Sequence, residues 1–125
     1  METSDLLNHL AQFTGSETFT RHPLIPRVLM TEGVVFLADK AGAHWLTDAI
    51  GSYLYHDRIR GELFQVWKLT VDCLAHCGEL MMTDGNSSAP LISQTLDYTD
   101  FPLAEINLWL VAEGEHWVLM LPTEY

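Results

Sequence analysis

The apolar positions of this chain change period midway. Up to about residue 56 they return every three or four residues, the spacing of one helix face; from 63 to 121 they alternate, the spacing of strands. Residues 4–13 predict a short helix capped by Thr3 or Ser4, with Asp5 at its positive end and Leu6, Leu7, Leu10 and Phe13 on one face. Residues 17–22 favour extended chain, and Pro23 and Pro26 bracket a loop without regular structure. Thr31 caps a second helix that Gly42 stops. Residues 43–56 predict a third, with Trp45, Leu46, Ala49, Ile50, Tyr53 and Leu54 recurring along one side.

Beyond a polar break at 57–62, residues 63–71 read as a strand that turns Phe64, Val66 and either Leu69 or Trp67 to the core. Residues 73–78 fit a helical turn or a bend. Residues 79–83 predict a strand closed by the turn Asp84-Gly85-Asn86, Ser87 to Pro90 a loop, and 92–98 another strand. Asp100-Phe101-Pro102 then breaks the chain before a hairpin over 105–121 that turns at Glu113-Gly114-Glu115. Ile106, Leu108 and Leu110 alternate there with Asn107, Trp109 and Val111, so both faces are rich in apolar groups and the hairpin should lie centrally. The expected class is α+β: two or three N-terminal helices (about 4–56) on one face of a four- to five-stranded antiparallel sheet (about 63–121), as one domain over 1–125.

Charge changes this picture most. Seventeen acids face six bases, a formal net charge of -11, and no Lys or Arg follows Lys68. An acidic surface without local compensation repels nucleic acid and attracts cationic partners. No apolar run reaches the ~20 residues of a membrane helix, and residues 1–13 lack the basic start and apolar core of a secretory signal. The expectation is a cytoplasmic protein whose two cysteines stay thiols, with neither membrane nor direct nucleic-acid contact.

Several phrases occur together: FTG (13–15), EGVVFLADKAGAHWLTDAI (32–50), FQVWKL (64–69), TDGN (83–86), YTDFPL (98–103) and LPTEY (121–125). In these the chain resembles a family of small bacterial and mobile-element proteins known only as a domain of unknown function. The resemblance covers most of the chain. It implies a stand-alone bacterial domain, and it brings no activity, cofactor or catalytic residue.

Candidate chemistry is sparse. Cys73, His76 and Cys77 would share one side of a helix and suit zinc, but a structural site needs a fourth ligand, and buried thiols commonly serve as small apolar groups. Their Cys-x-x-x-Cys spacing also departs from the Cys-x-x-Cys of redox pairs. His44 and Asp48, one helical turn apart, could form an oriented imidazole for a cysteine nucleophile, with His56-Asp57 a weaker pair; the plainer reading is a surface His and a solvated Asp. Asp84, Asp97 and Asp100 could gather at one end of the sheet to bind a cation or act as acid and base, although turn residues explain each of them.

Trp109 lies opposite Ile106 and Leu108, so a sheet covered on one side would leave it on an open face. Glu105, Asp97, Asp100, Glu113 and Glu115 are the acids expected around it. The leading expectation is a non-catalytic interaction domain without cofactor, docking a protein with a basic surface or a second copy of itself. A second is an acidic mimic of nucleic acid, resembling an anti-CRISPR protein in blocking a host defence nuclease. A third is a small metal-dependent hydrolase.

Overall fold

The computed structural model describes residues 2–15, 17–86 and 89–125, so of the expected loop at Ser87 to Pro90 the first two residues lie outside the described ones. Three helices, α1 (Thr3–Leu10), α2 (Glu32–Ala41) and α3 (His44–Ser52), accompany seven strands. The strands are β1 (Thr20–Arg21), β2 (Val28–Met30), β3 (Phe64–Asp72), β4 (Cys77–Thr83), β5 (Ile92–Leu96), β6 (Glu105–Glu113) and β7 (His116–Met120). They form one sheet in the order β1-β2-β7-β6-β3-β4-β5. The class is α+β, but the sheet is larger than expected and mixed, because β2 runs parallel to β7. Nor are helices and strands cleanly segregated: β1 and β2 come before α2, and a 3-10 turn over Pro122–Glu124 follows β7.

Local chemistry explains most boundaries. The Thr31 side chain accepts the Val34 N–H at 3.3 Å and so caps α2, which ends at a left-handed Gly42. In α1 the helix starts at Thr3 and no side chain caps it; Leu6 and Leu10 are buried, whereas Leu7 is half exposed. In β6–β7 the turn needs a positive φ at its first central position, and Gly114 supplies it at +62°. β6 pairs with β3 on its other side, so the hairpin is central.

Helices cover one face of the sheet. Leu6, Leu10, Leu37, Leu46 and Ile50 form one core with Trp67, Leu69, Leu80, Leu108, Leu110 and Leu119. The strand over 64–72 is therefore turned the other way from the expected orientation of Phe64 and Val66. Both lie on the opposite face, half-buried, and Gln65 is inside. Gln65 tolerates burial because its bonds are made there. Its Nε2 donates to the carbonyls of Ile59 (3.3 Å) and Glu62 (3.1 Å), and its Oε1 accepts from Trp67 Nε1 at 3.0 Å.

Candidate functional site

The second face of the sheet carries the side chains left over by that orientation. Cross-strand pairs share a face, so the register places Phe64, Val66 and Lys68 of β3 beside Val111, Trp109 and Asn107 of β6. Met120 and Val118 of β7 continue the row, opposite Trp109 and Val111. Phe64, Val66, Trp109 and Val111 are only half-buried on this face.

Residues 122–125 approach this face. The 3-10 turn is locked by Glu124, whose carboxylate is buried: Oε1 accepts from Thr31 Oγ1 at 2.6 Å and from Leu121 N at 3.0 Å, and Oε2 accepts from Gly33 N at 3.1 Å. This carboxylate sits at the N-terminus of α2, where the helix dipole and a free backbone N–H favour an anion. It delivers Tyr125 to the sheet. The rings of Phe64, Trp109 and Tyr125 meet pairwise edge-on, with centroids 5.0, 5.4 and 5.8 Å apart. Such geometry sets the positive edge of one ring against the negative face of another. Tyr125 nevertheless remains 75% exposed. The result is an aromatic patch held in place yet open to solvent.

The acids expected around Trp109 divide. Glu105 and Glu113 share its face at the two ends of β6, and Glu115 sits in the adjoining turn. Glu105 is paired with Lys68 at 3.3 Å. Glu113 and Glu115 are exposed and have no ion-pair partner among the described residues. Asp97 and Asp100 lie elsewhere, beyond the end of β5 and three strands from β6. Asp97 borders a groove with Cys77 and Glu79, and Asp100 one with Trp45 and Tyr98. The suggested gathering of Asp84 with Asp97 and Asp100 does not occur. β4 and β5 are antiparallel, with Met82 opposite Ile92 and Gly78 opposite Leu96, so Asp84 and Asp97 stand at opposite ends of the strands.

The cysteine cluster forms a single hydrogen-bonded turn, closed by the His76 N–H on the Asp72 carbonyl at 2.8 Å, and not a continued helix. Cys73 to His76 is the tight connection from β3 to β4, with Asp72 paired to Cys77. Asp72 Oδ1 accepts the N–H groups of Leu74 and Ala75, both at 3.1 Å, and His76 is left-handed at φ +56°. Among the described residues no three His, Cys, Asp or Glu side chains are grouped to hold a metal ion, Cys73, His76 and Cys77 included. The imagined pair of His44 with Asp48 is also replaced. His44 Nε2 meets Asp39 at 2.9 Å, and Asp48 instead faces His22.

His22 was not singled out by its sequence, yet it is buried. Its Nδ1 accepts the N–H groups of Leu24 and Ile25 at 3.0 and 3.1 Å, and Nε2 stands 2.8 Å from Asp48 Oδ1 without hydrogen-bond alignment. Nδ1 is thus committed to the loop that the two prolines bracket, while Nε2 faces Asp48 of α3, which gives this histidine a structural task. Tyr125 was also missed. Only its place on the sheet, set by Glu124, makes it part of the patch.

Among the described residues no helix is long and apolar enough to cross a membrane. No curated protein sequence matches the chain. A solved structure, the crystal structure of a protein of unknown function from Enterococcus faecalis, is similar in fold: TM-score 0.58 at 16% identity, covering 86% of this chain and 98% of that one. At that identity the likeness concerns the fold alone. A family model described as a family of unknown function, DUF6876, matches residues 4–125, and the chain belongs to that family.

Proposed function

We propose that this protein is a non-catalytic interaction domain whose uncovered sheet face docks a partner protein with a basic surface. The supporting observation is the Phe64–Trp109–Tyr125 cluster, half open to solvent on a face whose nearby acids Glu113 and Glu115 have no ion-pair partner among the described residues. Interface cores are enriched in aromatic residues, while unbalanced charge at the rim steers a partner of opposite sign. A net charge of -11 opposes pairing of two copies through the same acidic region, so a basic partner suits this face better than self-association. The partner is taken to be met in a bacterial cytoplasm, away from membranes and nucleic acid.

A peptide array tests the reading. Lysine- and arginine-rich sequences with apolar residues should retain the protein, lose it on Tyr125→Ser, and release it as salt rises. Retention that ignores peptide charge, or that persists unchanged in Tyr125→Ser, would overturn it. Light scattering on the free protein should give a monomer.

A further inference from the structure

A cavity of about 620 Å³ opens beside the aromatic cluster, between Thr14, Gly15 and Phe19, β2, the β6–β7 hairpin and the 3-10 turn. That volume lies within the range of preformed small-ligand sites. Its walls are largely apolar, with Val118 and Met120 as floor and Phe19 and Tyr125 as half-exposed or exposed sides. The carboxylates lining it are those of Glu113 and Glu124, and among the described residues no Lys, Arg or His lines it. Glu124 is turned inward by its bonds to Thr31, Gly33 and Leu121. Glu113 is exposed.

We infer that this cavity receives one arginine side chain of the docking partner. The inference rests on the function proposed above and names the anchor of that interface. An apolar occupant would satisfy the walls but leave Glu113 without a counter-charge. An anion would meet two carboxylates. A guanidinium on a three-carbon stem suits both parts: the stem lies against Phe19 and Met120, and the planar head can stack on Tyr125 and donate to Glu113. Arginine is favoured over lysine because its weakly hydrated, flat head stacks on a ring while still donating to a carboxylate.

N-acetyl-arginine amide is the probe, followed by ¹H–¹⁵N spectra of the whole chain. Its citrulline counterpart keeps the shape and removes the charge. The arginine compound should shift the Val118, Met120 and Tyr125 signals in a saturable manner. The citrulline compound should bind about tenfold more weakly, and Glu113→Gln should weaken arginine binding severalfold while the spectrum of the free protein stays folded. Equal binding of the two compounds, or shifts that miss these residues, would overturn the inference. If basic peptides still dock through Tyr125 while the amide does not enter, the cavity assignment fails and the interaction face stands. If the amide enters but no basic peptide docks, the interaction face fails instead.

Discussion

The Glu124 carboxylate accepts the backbone N–H of Gly33 at 3.1 Å. It thereby joins the first turn of α2 to the 3-10 turn that carries Tyr125. The approach is possible because residue 33 has no side chain. A Cβ there would stand 2.5 Å from Glu124 Oε1 and 2.6 Å from Leu121 Cδ1. Leu121 and Glu124 are buried, and the Glu124 carboxylate is held by Thr31, Gly33 and Leu121, so making room for a methyl group strains or breaks those bonds. Gly33→Ala should therefore destabilise the fold by roughly 1–3 kcal/mol, although alanine is the better helix former. Urea denaturation measures the difference; a gain in stability would show that the turn yields easily.

The same contact predicts how Glu124→Gln behaves. Thr31, Leu121 and Gly33 all donate to the carboxylate. An amide group offers one oxygen and a nitrogen that must point at donors. A buried donor left without an acceptor costs about 1–3 kcal/mol. The loss should fall mainly on the 3-10 turn, so the Tyr125 ring should leave Trp109 before global unfolding. Hydrogen exchange at Leu121 and Gly33, together with tryptophan emission, follows that order.

These residues also show where the sequence was readable. Thr31 and Gly42 announce α2 because capping is a local event. Gly114 announces the hairpin for the same reason. Alternation alone set Trp109 on the face opposite Leu108. What stayed hidden depends on partners distant in sequence. Val28–Met30 is three residues long, too short for a period, and exists as a strand because β7 pairs with it from residue 117 onward. Gln65 reads as polar and outward until Ile59 and Glu62 supply its acceptors. The cysteines suggested ligands by identity, but the turn between β3 and β4 is set by the Asp72 carboxylate.

His22 gives a prediction about its proton. Nδ1 accepts two backbone N–H groups, so in the neutral ring the hydrogen belongs on Nε2, facing Asp48. Long-range ¹H–¹⁵N correlation should show the Nε2–H tautomer. His22→Asn can retain an acceptor near the position of Nδ1, whereas His22→Leu cannot. The leucine variant should lose about 1–3 kcal/mol, and the asparagine variant less, in thermal or urea melts. Equal losses would mean that the loop does not depend on these two bonds.

The three-ring cluster should contribute little to stability compared with its effect on the surface. Tyr125 is mostly exposed, so Tyr125→Ala removes two edge contacts, of order 0.5–1.5 kcal/mol together, and little buried area. Trp109 should become wetter, and its emission should move to longer wavelength. A melting curve that collapses in this variant would make the tyrosine a core residue in energetic terms and would remove the case for a docking surface.

Glu105 and Glu113, at the two ends of one strand, should respond oppositely to neutralisation. Glu105 has Lys68 at 3.3 Å, with both side chains about half exposed, so Glu105→Gln gives up an attraction worth at most ~1 kcal/mol. Glu113 has no ion-pair partner among the described residues and stands in a chain of net charge -11, where each further negative charge adds to self-repulsion. Glu113→Gln should therefore raise the melting temperature slightly at low salt while Glu105→Gln lowers it. Added salt screens both terms, so the two curves should converge on the parent as ionic strength approaches ~1 M, where the Debye length falls to about 3 Å. Stabilisation by both substitutions would mean that net charge outweighs the Lys68 pair. Destabilisation by both would mean that Glu113 has an attractive role in the free protein and is not held in reserve for a partner.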